Sequence, residues 1–382
     1  RSKIDNAVKI SRFQGTWMSL YYQQKRYFKM LLNIDFYWAM KFRSDICIMT
    51  DDGTQGDVIM KRIQPDHSSF KFWVNGVDIS YINKENGREY SIRGKVVVLA
   101  ASACSSARIL LNSKSKAHPN GLGNSSNLIG KYLHDSTGTG RSVFIPDLIN
   151  RKTYNEDGVG GMHVYSPWWL DNKKLDFPRG YHIEIGRSFT MPEYGFGYNP
   201  NELNRFFGLK VGGYGDKLRK DVKKYYGSTI GLSGRGEAIP RKDNYCEIDP
   251  DTKDKWGIPV LKFRYKWSDY EIKQVKHMHD TFEELAYNMG GIALGNKPTK
   301  EQNYGISAPG EIIHEVGTTR MGDDPYNSVV NKYERLHDVD NVYVVDGGPF
   351  VSQADKNPTW TIMALSWRTS EYIIDQLKKQ NI

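Results

Sequence analysis

Apolar residues fall in runs and periods that set out the elements of this chain. Lys95–Ala100 (KVVVLA) is apolar almost without interruption, the pattern of a strand buried on both faces. The small residues Ala101, Ser102 and Ala103 follow. Then comes Ser105–Asn112, where Ala107, Leu110 and Leu111 fall at helical spacing. A buried strand, a small-residue turn and a helix predict a doubly wound α/β unit. Upstream, Ile46–Thr50, Val58–Ile63, Phe70–Ile79 and Glu89–Arg93 read as strands, with Asp51–Gly56 as a loop. Tyr21–Met40 has no clean period and predicts no element.

The region 141–310 changes character. It is rich in Gly and aromatics, with strands expected at Gly140–Ile145, Tyr181–Ile185 and Tyr245–Ile248. One helix is well marked. Ser268 is a good N-cap, Glu271 completes a capping box, and Gly290 is a natural stop. Between cap and stop, Ile272, Val275, Phe282, Leu285 and Met289 supply the apolar positions. This is the pattern of an α+β region, a sheet backed by a helix. The end of the chain returns to α/β. Asn341–Asp346 (NVYVVD) reads as a strand leading into Gly347–Gly348. Asn357 and Pro358 then predict the N-cap and first position of a helix reaching about Lys379.

Composition adds bounds. Charged residues are 25% and hydrophobic residues 39% of 382, as in a globular protein with room for two domains. The longest apolar stretch, near Val96–Ala101, is far shorter than a membrane span. The chain opens on Arg1 and not Met, so it reads as a piece of something longer. The net charge of +9 is spread among acidic residues, as in Asp249–Lys255 and Glu271–Lys276. Only Lys217–Tyr225 is a basic run, and it reads as an exposed helix, so nucleic acid is not an expected partner. Cys47, Cys104 and Cys246 are far apart and show no CxxC spacing. Neither a disulfide framework nor a metal site is expected, and a reduced compartment fits.

Three segments can carry chemistry. His314, in EIIHEVGTTRMG, has a side chain whose ordinary pKa of about 6.5 lets it accept a proton near neutral pH. Asn357 opens a helix whose positive end favours negative charge beyond it. Asp346 ends a buried strand and is followed by two glycines, where a backbone can approach a ligand.

Taken together these blocks carry a resemblance. HEVGTTRMG, NVYVVDGGPF and KNPTWTIMALSWR resemble the C-terminal signature of the glucose–methanol–choline (GMC) family of FAD oxidoreductases. KVVVLAASACSSARILLNS and NGLGNSSNLIGKYL resemble the family's mid-chain FAD-domain segment. GRGEAIP and NYCEIDPDTKDKWGIPV look like its substrate-domain strands, closest to those of bacterial sugar dehydrogenases. The resemblance covers about 95–382 in the family's order. It implies an FAD-domain segment over 46–140, a substrate domain over 141–310 and a return to the FAD domain over 311–382, with 1–45 unassigned. The expected fold class is α/β plus α+β. The doubly wound FAD-binding domain is incomplete, because no GxGxxG follows a strand, and the substrate domain is built on an antiparallel sheet.

The resemblance also implies roles. His314 matches the family's general base, and Asn357 the second active-site position, 43 residues on. Ala100, Ala101 and Ser102 match the turn near the ADP half of FAD. Asp346 and Gly347 match the pyrophosphate and ribityl contacts, and Pro358 and Thr359 the backbone near the isoalloxazine. The implied reaction oxidises an alcohol CH–OH, with hydride passing to flavin N5. The substrate is a small-molecule alcohol, expected to be a sugar or glycoside, on whose rings Trp168, Trp169 and Trp256 could stack. The electron acceptor stays open: oxygen, a quinone, a cytochrome or a partner redox protein. So does the compartment, cytoplasmic or periplasmic. Two alternatives stay open as well, a flavin-containing hydroxynitrile-type lyase and an inactive fragment unable to hold FAD.

Overall fold

The computed structural model describes residues 46–49, 78–83, 86–151, 163–165, 174–187, 203–205, 208 and 210–381. The readings at Tyr21–Met40, Asp51–Gly56, Val58–Ile63, Trp168 and Trp169 lie outside them. The chain folds as mixed α/β.

The apolar run forms strand β4 (Val96–Leu99), buried throughout. It is the centre of a parallel sheet in the order β1 (Ile46–Met49), β4, β12 (Val342–Val344). Its side chains alternate. Val97 and Leu99 join a core with Ala107 and Leu110 of helix α1 (Ala103–Asn112). Val96 and Val98 face Tyr343, Val345 and Ile373, the last on helix α4 (Thr359–Lys378). Helices on both faces explain why the strand is apolar without alternation. On α1 the buried residues Ala103, Ser106, Ala107 and Leu110 make one helical stripe.

A second, antiparallel sheet holds the middle of the chain. Its order is β11 (Ile292–Ala293), β5 (Thr137–Phe144), β8 (Thr229–Gly236), β7 (Tyr181–Arg187), β6 (His163–Tyr165). Helix α3 (Asp269–Asn288) packs on one face through Val275, Met278, Phe282 and Ala286, against Val143, Tyr181, Ile183 and Leu232. Gly234 permits this, because a Cβ there would lie 2.5 Å from Met278 Sδ. The capping box of Ser268 and Glu271 forms as expected, and Gly290 follows the helix with φ +63°. Helix α2 (Gly215–Tyr225) holds the basic run, mostly exposed. Among the described residues there are also two antiparallel strand pairs, β2 (Asp78–Ile82) with β3 (Glu89–Arg93), and β9 (Tyr245–Lys253) with β10 (Pro259–Arg264).

The two sheets are joined by a stack of extended segments. Gly130 takes its place between β9 and 318, since Cys246 N donates to its carbonyl (3.0 Å) and Gly130 N donates to Thr318 O (2.7 Å). His134 and Val316 exchange both backbone bonds, at 3.0 and 2.9 Å. Gly317 N and Thr319 N then donate to Gly347 O and Gly348 O. This stack brings 134–136, just before β5, beside 314–319 and 346–348.

Helix α4 corrects one expectation. Asn357 is not its N-cap. Pro358 holds that position with helical angles, its carbonyl accepts from Ile362 N (3.0 Å), and no side chain caps the helix. Asn357 is exposed, one residue outside. The residue before a proline is pushed out of helical space, and the loop ahead of it is tied to the antiparallel sheet, so the turn sets in at the proline.

Candidate active site

The antiparallel sheet has two faces of opposite character, because its strands alternate. The odd positions of β7 pack on α3, whereas His182 and Glu184 point the other way. Arg235 on β8 is registered between His182 on β7 and Gly138 on β5. The face away from α3 is therefore a polar row, and the segment carrying His314 lies on it. Ile312 packs over Gly138, whose missing Cβ would lie 2.9 Å from Ile312 Cγ1.

His314 is held from below. Asp135 accepts three backbone N–H groups, from Ser136 (2.7 Å), Gly310 (3.1 Å) and His314 itself (3.0 Å). Tyr265 fixes Asp135 in turn, accepting its amide at 3.1 Å. Burial pushes the Asp135 carboxyl up to about 6, with Glu315 adding to the rise and the amides opposing it. Just before His314, Ile313 sits at φ +59° and is 72% exposed. A β-branched residue there is strained, and strain of this kind gathers at functional sites.

The His314 ring meets Ser136 Oγ through Nδ1 at 3.3 Å. Gln353 Nε2 donates to the same oxygen at 3.1 Å, and also toward Lys356 O. Nε2 of His314 makes no hydrogen bond among the described residues. Burial lowers the pKa of His314, and the positive charge of Arg235 and of His182 lowers it further, against the pull of Glu184. These surroundings favour the neutral ring over the charged one.

Beside it His182 is fully buried between two carboxylates, Glu184 Oε1 at 3.2 Å and Asp355 Oδ2 at 3.3 Å. Burial opposes its charge, but the two carboxylates outweigh burial and raise its pKa. Asp355 also meets Lys356 at 2.6 Å. Gln353 and Asp355 therefore tie one loop to Ser136 and to the polar row, and Asn357 is the exposed residue that follows. His314 and Asn357 do not bond each other; the loop links them through Ser136 and Gln353.

Five of the expected cofactor residues, Ala100, Ala101, Ser102, Asp346 and Gly347, lie at the carboxyl ends of β4 and β12, where ligands bind in open α/β sheets. Asp346 accepts from Ser106 Oγ (2.5 Å) and from Gly348 N (2.8 Å), while Ala101 N donates to Ser106 Oγ at 3.3 Å. The turns at Ala100–Ser102 and Asp346–Gly347 are thereby joined. Ser102 precedes α1 at φ +80°, and no side chain caps that helix. Thr319 Oγ1 and His134 Nε2, both buried in the neighbouring stack, have no hydrogen-bond partner among the described residues. Free helix amides and orphaned polar atoms beside two strand ends fit a large polar cofactor. Pro358 is buried and Thr359 half-buried at the start of α4. Trp256 lies instead in the turn of the β9–β10 hairpin, with the Lys255 ammonium 5.3 Å from its ring.

Ser136, His182, Glu184, Arg235, Gln353 and Asp355 were not singled out from the sequence. One signal was present: in YHIEI, His and Glu alternate with apolar residues, so both must leave the core face together.

The C-terminal GMC oxidoreductase family model matches residues 240–366. The chain is 30% identical over 295 residues to 2-methyl-1,2-propanediol dehydrogenase of Mycolicibacterium austroafricanum, covering 77% of this chain and 50% of that protein. It is 27% identical to the fructose dehydrogenase large subunit of Gluconobacter japonicus, covering 76% of this chain and 49% of that one. It spans about half the length of these curated relatives. A formate oxidase of Aspergillus oryzae RIB40, solved to follow modification of its FAD, shares the fold with a TM-score of 0.55 and 12% identity, over 81% of this chain and 60% of that one. The relatives are dehydrogenases and oxidases, and the family and its flavoprotein neighbours indicate FAD. Over residues 240–366 the chain carries the C-terminal domain of the GMC oxidoreductases.

Proposed function

We propose that this chain carries the active-site half of an FAD-dependent oxidoreductase that oxidises the CH–OH group of a sugar or glycoside, with His314 as general base. The observation that carries the reading is the half-buried His314 ring, with Nδ1 3.3 Å from Ser136 Oγ and Nε2 bonded to none of the described residues.

Ser136 Oγ accepts from Gln353, and its second lone pair would accept from His314 Nδ1–H. That tautomer leaves the Nε2 lone pair to take the substrate's hydroxyl proton. Asp135 keeps the ring's backbone in place while the proton moves. Asn357, exposed at the end of the tethered loop, would donate a hydrogen bond to the substrate oxygen. FAD, when bound, supplies the acceptor for the hydride that leaves the same carbon. Ala100, Ala101, Ser102, Asp346, Gly347, Pro358 and Thr359 would hold it. The sugar assignment draws support from the fructose dehydrogenase relative and from the polar row, whose His, Glu and Asp side chains suit hydroxyl groups.

The test uses the full-length protein loaded with FAD and mixed anaerobically with a panel of sugars, glucosides and simple alcohols. His314→Ala is expected to slow bleaching of the flavin about 10²- to 10⁴-fold, the usual weight of a general base. Undiminished bleaching would remove His314 from the role. Bleaching by aliphatic alcohols alone would remove the sugar. No bleaching by any alcohol, with cyanohydrin cleavage instead, would favour a lyase.

A further inference from the structure

The polar row leaves one charge unanswered. Glu184 and Asp355 both face His182, and Asp355 also holds Lys356. Glu237, just past the end of β8, pairs with Arg179 at 3.2 Å. Arg235 pairs with no carboxylate among the described residues. Among the described residues its guanidinium makes one hydrogen bond, from Nη1 to the carbonyl of its neighbour Gly234 at 3.1 Å.

Its position is not that of an ordinary surface arginine. Arg235 is half-buried at the centre of a five-stranded sheet, registered between Gly138 and His182. Because position 138 has no side chain, Nη1 lies over that strand, 3.2 Å from where a Cβ would stand and beside Ile312. Its field reaches the His314 ring. A guanidinium presents five N–H donors in a planar fork matched to two oxygens of one anion. Leaving most of them without a partner in a partly desolvated site is costly unless something else fills them. The acids around it are engaged elsewhere and do not answer it.

We infer that Arg235 is a substrate-binding residue, and that the substrate carries an anionic group, a carboxylate or a phosphate, a few atoms from the alcohol carbon presented to His314. The substrate class is then a sugar acid or a sugar phosphate, not a neutral sugar. This rests on the reading of His314 as the site of oxidation. The anion would lie across two or more N–H groups of Arg235, and the hydroxyl would reach His314 Nε2.

The experiment takes the full-length, FAD-loaded protein. It measures binding of glucose, gluconate, glucuronate and glucose 6-phosphate by calorimetry, and flavin reduction by each in rapid mixing. Wild type should bind at least one of the acidic sugars tenfold or more tighter than glucose, with an advantage that shrinks as salt is raised. Arg235→Gln should erase that advantage through binding and KM more than through kcat, and Arg235→Lys should keep part of it. Preference for the two carboxylates or for the phosphate names the anion. Equal binding of glucose and the acids, no binding of any acid, or equal losses on neutral and acidic sugars in Arg235→Gln would each overturn the inference. His314→Ala separates the two readings. If it reduces flavin at the wild-type rate while the Arg235-dependent preference survives, the base assignment fails and the anion site stands.

Discussion

Asp135 shows what a single carboxylate can do for a neighbour whose side chain it never touches. Its oxygens accept three backbone amides, so replacing one oxygen by an NH₂ group sets donor against donor. Asp135→Asn is expected to cost about 1–3 kcal/mol of stability and to slow flavin reduction, read by urea midpoint and rapid mixing. Glu334 is a second buried acid, fully covered, with Thr369 Oγ1 donating to it at 2.7 Å. Burial raises its pKa to about 8, with the charge of Asp346 adding to the rise. The folded state thus binds the proton more tightly than the unfolded one. Its contribution to stability is complete below about 4.5 and is lost as the pH climbs through about 8. Glu334→Gln should flatten that part of the stability–pH curve, and at pH 8 the variant should be the more stable; an unchanged slope would refute this. Of the residues in the site, His314 was legible because its neighbours form a motif. Asp135 and Ser136 were not, since their partners lie 175 to 179 positions away.

Two helix starts behave oppositely although both look well signed in sequence. Ser268 caps α3 through a capping box, in which its backbone N–H donates to Glu271 Oε2 (2.7 Å) and its side chain accepts from the Glu271 amide. Ser268→Ala should cost about 1 kcal/mol in thermal or chemical unfolding. Asn357→Ala should cost almost nothing in stability, because no helix amide depends on it, yet it should slow substrate oxidation if Asn357 holds the substrate oxygen. Loss of stability without loss of rate would reverse that assignment. The capping box was readable because both of its partners are local. The start of α4 was not, because its approach is set by Gln353 and Asp355 bonding to strands far away in sequence. Strand β4 was readable from its apolar run, but the order of the five antiparallel strands was not, since pairing between distant strands leaves no trace in either strand alone.

At the scale of the molecule, the β9–β10 hairpin is bolted to the parallel sheet by Arg108 of α1. Its guanidinium meets Asp254 Oδ2 (2.8 Å), Pro259 O (2.8 Å) and Ile258 O (3.1 Å). Arg108→Ala should speed hydrogen exchange in that hairpin and lower stability by about 1–3 kcal/mol, while leaving β5–β8 protected. The sheet it leans on has its own demand. Val97 N donates to Asn341 O, and β4 pairs with β12 across nearly the whole antiparallel region. Closing a loop of that length costs on the order of 5 kcal/mol before any contact repays it. On the ribosome, β4 must wait for its second partner until the entire antiparallel layer has been synthesised, and that layer can pair in the meantime. The turn that joins Asp346 to Ala101 therefore arises last. Nascent chains halted ahead of Val342 should hold protected amides in β5 and β8 while the Val97 amide still exchanges freely.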